Sequence, residues 1–106
     1  MGAGAFNLAV ELHQPVRTDT PDGAVSVVLV SAGSDFAQLH LVSQREREVM
    51  DRLESAATHR ITLRYREDVA GGWSLISGTR AFRILAAHDP DGRRRVLQCL
   101  AEEEGT

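Results

Sequence analysis

Period-two alternation of apolar and polar residues, interrupted at short intervals by turn residues, is the feature that most constrains this chain. In the run His59-Arg60-Ile61-Thr62-Leu63-Arg64-Tyr65-Arg66, extended backbone puts Ile61, Leu63 and Tyr65 on one side and Arg60, Thr62, Arg64 and Arg66 on the other. The same period runs through Phe6, Leu8, Val10 and Leu12, which set a first strand at about 6–13. It returns in 73–76 and 80–86, a hairpin around Ser77-Gly78-Thr79, and in 94–100 after the turn Asp89-Pro90-Asp91-Gly92. Strands in this order, without helices alternating between them, argue against a parallel sheet built from βαβ units. A chain of 106 residues holds one core. The expected fold is mainly β: a small antiparallel β-barrel or sandwich with one inserted α-helix, forming a single domain over 1–106.

The helix is expected at about 44–57. Ser43-Gln44-Arg45-Glu46 has the capping-box form, in which the Ser hydroxyl and the Glu carboxylate satisfy each other's backbone N–H groups. Val49, Met50, Leu53, Ala56 and Ala57 follow at helical spacing, with Arg47/Asp51 and Glu48/Arg52 as charge pairs one turn apart. That pattern turns Val49, Met50 and Leu53 toward the barrel and leaves Arg45, Arg47, Glu48 and Arg52 on the outward side. A long loop occupies about 14–34 in this reading. Its near half is dense in Pro, Thr, Asp and Gly and carries the hairpin signal Asp22-Gly23. Its far half holds a valine-rich strand, 24–30, which a turn at Ser31-Ala32-Gly33-Ser34 joins to another at 35–42. The acidic segment Glu102-Glu103-Glu104-Gly105-Thr106 reads as a frayed end.

Charge and motif content narrow the function classes. A formal charge of −3 and a pI near 5.7 are the opposite of the basic footprint with which a domain grips nucleic acid. All 12 basic residues are Arg, and Tyr65 lies on the opposite side of its strand from Arg64 and Arg66, so the stripe lacks an aromatic stacking platform. The single cysteine, Cys99, sits in an alternating apolar run and reads as a small buried side chain. His13, His40, His59 and His88 have no metal-ligand spacing, and no nucleophile elbow or phosphate-binding glycine loop is present. Neither a catalytic residue, a metal nor a cofactor is expected. The longest apolar stretch, 24–30, is too short to span a bilayer, which takes about 20 residues, and no membrane association is expected.

The closing strands, Ile61-Thr62-Leu63-Arg64-Tyr65-Arg66, Gly78-Thr79-Arg80-Ala81-Phe82-Arg83-Ile84 and Arg93-Arg94-Arg95-Val96-Leu97-Gln98-Cys99, taken in this order after a mid-chain helix, resemble the head-tail joining family of tailed phages. The resemblance covers 5–103. It departs from the family after the Asp-Gly turn, where members often carry an aromatic residue and this chain has Val28 and Leu29. The resemblance implies a head-completion, or stopper, subunit of a phage or a phage-like gene transfer agent. Copies would form a homo-oligomeric ring in the particle neck, with portal or adaptor proteins on the head side and a tail terminator or tail proteins on the other. DNA would pass through the channel without specific binding, and assembly would take place in the bacterial cytoplasm. The long loop, with Arg17, Thr18, Asp19, Asp22 and Gly23, would face the channel or an adjoining ring, and Arg45, Arg47, Glu48, Arg52, Arg64 and Arg66 would meet neighbouring subunits. A small β-barrel nucleic-acid-binding module and a tail terminator subunit are the competing readings.

Overall fold

The computed structural model describes residues 6–48 and 56–104. Six strands form a closed antiparallel barrel: β1 (Leu8–Asp19), β2 (Val25–Leu41), β3 (His59–Arg64), β4 (Ser74–Ser77), β5 (Arg80–His88) and β6 (Val96–Glu104), in the spatial order β1-β2-β3-β6-β5-β4. One short helix, α1 (Gln44–Glu48), is inserted between β2 and β3. The barrel closes where β4 pairs with β1, through Glu11 with Ile76, Leu12 with Leu75 and His13 with Ser74.

Alternation fills the interior. Leu12, Ile61, Leu63, Leu75, Phe82 and Cys99 are fully buried, and Ala37 and Ala101 supply small side chains where strands approach. The apolar surroundings of Cys99 push its thiol up to about 12, so it is held as a neutral, packed thiol. His59 is buried at the end of β3, edge-on to the Phe82 ring at 5.3 Å between centroids. Its Nδ1 lies 2.9 Å from the Thr58 hydroxyl, which also accepts the Glu103 N–H at 2.8 Å. Burial lowers the His59 pKa below its ordinary value.

The capping box forms as its sequence requires: the Ser43 N–H donates to the Glu46 carboxylate at 3.1 Å and the Glu46 N–H to the Ser43 hydroxyl at 3.2 Å. Glu46 also takes a hydrogen bond from Arg60 at 3.0 Å, which ties α1 to β3. Residues 49–55 of the expected helix, including Arg52 and the core candidates Val49, Met50 and Leu53, lie outside the described residues. Ala57 is buried, but in irregular backbone leading into β3.

Three expectations are corrected. Residues 14–34 are not a loop: β1 runs on to Asp19, β2 starts at Val25, and only the turn between them is irregular. The segment 31–34 is not a turn either, because β2 passes through it without ending. Finally, 102–104 belong to β6, where Glu103 pairs with Arg80 in a two-pronged contact at 2.8 and 2.9 Å and Glu102 with Arg83 at 2.6 Å. The acidic end is held by arginines across the β5–β6 ladder, a pairing between strands that local composition does not reveal.

Leu63→Ala should cost the fold about 2–5 kcal/mol, the range for truncating a buried leucine, and a denaturant melt reads this directly. A pH effect is also expected. The unfolded chain protonates His59 near 6.5, whereas the folded ring resists it. As pH falls below about 6.5 the unfolded state takes up the proton first, so stability is full above that value and declines below it until the folded ring also titrates. Thermal melts of His59→Gln should lack this decline, leaving only the separate loss at lower pH from paired carboxylates such as Glu103 and Glu46, whose pKa values are lowered.

Candidate functional site: the projecting arm

Beyond His13 strand β1 has no β4 partner, and on the turn side of Gln38 strand β2 has no β3 partner. The two continue as a two-stranded arm, paired from His13 with Ser31 out to Asp19 with Val25. The six pairs beyond His13, at a rise of about 3.3 Å each, project roughly 20 Å. The molecule accordingly measures 54 Å along its longest axis against 32 and 29 Å across.

The tip is a tight turn with a specific chemistry. Pro21 and Asp22 occupy its central positions, the Gly23 N–H donates to the Thr20 carbonyl at 3.0 Å, and Gly23 adopts φ +88. The Asp22 carboxylate accepts from the Thr20 hydroxyl and from the Ala24 N–H, and its pKa falls for these reasons, the Thr20 bond first. Pro sets the first turn residue and Gly takes the left-handed one, so the strands reverse without splaying.

At the root, β2 spends two residues, Ala32 and Gly33, opposite Leu12 of β1. This is a β-bulge, and Gly33 sits at φ +110, a conformation that L side chains rarely adopt. Arg66 braces it. The guanidinium donates to the Ala32 carbonyl at 3.2 Å, grips Asp68 with two bonds at 2.9 and 3.1 Å, and lies over the Trp73 ring at 5.8 Å. An open groove of about 510 Å³ lies beside the root, lined among others by Ala9, Glu11, Asp35, Phe36 and Ile76. Glu11 is drawn below its usual pKa by the His13 ring and the Ser31 hydroxyl. His13 Nε2 lies 3.1 Å from its carboxylate, within ion-pair reach but off the line a hydrogen bond needs.

Cross-strand register sorts the arm into two faces. Val25, Val27 and Leu29 share one face with Pro15, Arg17 and Asp19; Val16, Val28 and Val30 share the other with Gln14, Thr18 and Ser26. All six of these aliphatic side chains are exposed, Val27 to 66%. Together with Phe36 and Leu41 they make up the exposed large hydrophobic residues among the described ones, and every one lies on β1 or β2. A concentration of this kind is what a protein reserves for a partner surface.

The expected partner residues separate. Arg17, Thr18, Asp19, Asp22 and Gly23 are brought together on the arm and its tip. Arg66 is engaged within the molecule at the root, and Arg64 lies over the Phe6 ring at 5.4 Å. Arg45 and Glu48 are exposed on α1; the Arg47 side chain and Arg52 are outside the described residues. The sequence reading missed Phe36, Leu41 and the valine faces as surface. Eight exposed apolar residues on two consecutive strands are visible as a pattern only once both faces of the arm are known to lack a covering layer. Among the described residues no group of three or more His, Cys, Asp or Glu could hold a metal, and no helix among them is long and apolar enough to cross a membrane.

The family model of the phage head completion protein matches residues 1–104. No curated protein matches. Among the solved structures that match, two share the fold across nearly all of both chains. The solution structure of protein SF1141 from Shigella flexneri 2a aligns with a TM-score of 0.79 at 22% identity, over 99% of this chain and 98% of that one. A chain of the virion of a native gene transfer agent particle aligns with a TM-score of 0.65 at 23% identity, over 96% of this chain and 98% of that one. The chain belongs to the phage head completion protein family, and its general role is that of a structural connector component of a phage-like particle.

Arg66→Ala should free the arm root while leaving the barrel standing. Hydrogen exchange at the amides of 31–33 is expected to accelerate, with a global stability loss of about 1 kcal/mol or less for this partly exposed ion pair. Unchanged exchange at those amides would mean that the bulge holds the root without the arginine.

Proposed function

We propose that this head completion protein is a stopper subunit: copies ring the neck of a phage or gene transfer agent particle, close the DNA-filled head and offer a platform to the tail. The single observation that carries this reading is the arm, a rigidly rooted hairpin with uncovered aliphatic side chains on both faces, held clear of a well-packed barrel. Such a surface is stable in a monomer only at a cost in solubility, and it suits a partner that buries it in the particle. Portal or adaptor proteins would lie on the head side, and a tail terminator or tail proteins on the other, with assembly in the bacterial cytoplasm.

DNA would pass without being gripped. The formal charge is −3, and a ring of such subunits repels phosphate. The stripe that a nucleic-acid-binding barrel would use is engaged elsewhere: Arg60 pairs with Glu46, Arg66 with Asp68, and Arg64 lies over Phe6.

Shortening the arm tests the reading. Deleting 16–19 together with 25–28 removes the outer paired residues and keeps the 20–24 turn. The melting temperature of the isolated chain should stay nearly unchanged, while particles lose DNA or fail to join tails, as counted by electron microscopy and DNA content. Full, tailed particles from the shortened chain would remove the arm from any closing role.

A further inference from the structure

The arm and the groove at its root have complementary surfaces, yet one molecule cannot bring them together. The arm leaves the barrel from the groove's own edge, and the ladder from His13 to Asp19 holds it pointing away. Building on the ring reading above, we propose that the Arg17-bearing face of one copy's arm seats in the root groove of the next copy, and that this head-to-tail contact links the ring.

The groove floor is apolar, with Ala9, Ile76 and Phe36, the last 54% exposed. Its acidic groups are Glu11 and Asp35, and neither Arg nor Lys lines it. Asp35 uses one carboxylate oxygen on the Phe36 N–H at 2.8 Å, which leaves the other free to accept. The arm offers the counterpart: Val25, Val27 and Leu29 in a row, with Arg17 directly across from Val27. Arg17 is the only basic residue between 14 and 30, and it has no hydrogen-bond or ion-pair partner among the described residues. Asp19 shares the Arg17-bearing face but sits at its tip end, across from Val25 and two positions beyond Arg17, whereas the opposite face, with Val16, Val28 and Val30, has no cation to meet Glu11 and Asp35.

Reach agrees with this pairing. An arm of roughly 20 Å overlaps most of a neighbouring barrel about 30 Å across. Because the arm face and the groove are different patches, the contact is heterologous, and successive copies close into a ring when the rotation between them allows. The contact is only two strands wide, small by the standard of stable interfaces. A monomer in dilute solution and a ring on a template that raises the local concentration both follow.

Cysteine cross-linking tests it, because the sole native thiol, Cys99, is fully buried. Particles assembled from a chain carrying both Val27→Cys and Phe36→Cys should give a ladder of covalent multimers with a short thiol cross-linker. The pair Val28→Cys and Phe36→Cys, from the other face, should not. Arg17→Glu should cut the ladder yield of the Val27/Phe36 chain about tenfold without moving its melting temperature, and adding Asp35→Arg should restore it. A ring that cross-links through other positions, or through Val28, with nothing between 27 and 36 would overturn the docking and leave the ring reading intact. A neck holding a single copy of the chain would sink both.

Discussion

Three residue pairs, Glu11 with Ile76, Leu12 with Leu75 and His13 with Ser74, close the ladder into a barrel, and the remaining architecture follows from where they stop. Within that stretch β1 has a hydrogen-bonded neighbour on both sides and an interior to point Leu12 into. One residue later β4 is gone, and β1 and β2 have only each other. The barrel therefore gives way to the arm at a sharp boundary, and the Ala32–Gly33 bulge falls on that boundary, opposite Leu12. Local bending by the bulge re-aims the pair away from the barrel wall, and Arg66 fixes the new direction through the Ala32 carbonyl.

Burial and exposure are thus divided along one pair of strands. The barrel buries its aliphatic and aromatic side chains and holds the free energy of folding; the arm satisfies its cross-strand backbone groups but covers none of its valines. An uncovered apolar hairpin with free edges invites non-specific pairing. Pro15 limits this on the β1 edge, because it has no N–H to donate to an incoming strand.

Five arginines help hold the molecule together. Arg60, Arg66, Arg80, Arg83 and Arg95 each pair with a carboxylate, and most of these contacts are solvent-screened and individually worth little. Their value lies in geometry. Arg80 and Arg83 keep the acidic end of β6 on the barrel, Arg60 docks α1, and Arg66 sets the arm. The charge of these five arginines is thus met within the chain itself.

Wherever one side of a segment meets the core, the sequence by itself determined the outcome. Ile61 and Leu63, Phe82 and Ile84, and Leu97 and Cys99 alternate with outward residues because a barrel wall has one dry face, and the Ser43/Glu46 box and the Asp22-Gly23 turn form because their bonds are local. Only the tertiary structure decided the arm, the groove at its root and the anchoring of residues 102–104. Strand periodicity is a signature of unequal faces, and from Val16 to Asp19 and from Val25 to Val30 both faces are exposed, so no alternation is imposed on the sequence. Pro15 and Gly33, which locally signal a break, are tolerated there because the register with the opposite strand, and the Arg66 contact from more than thirty residues away, supply the order that local sequence does not.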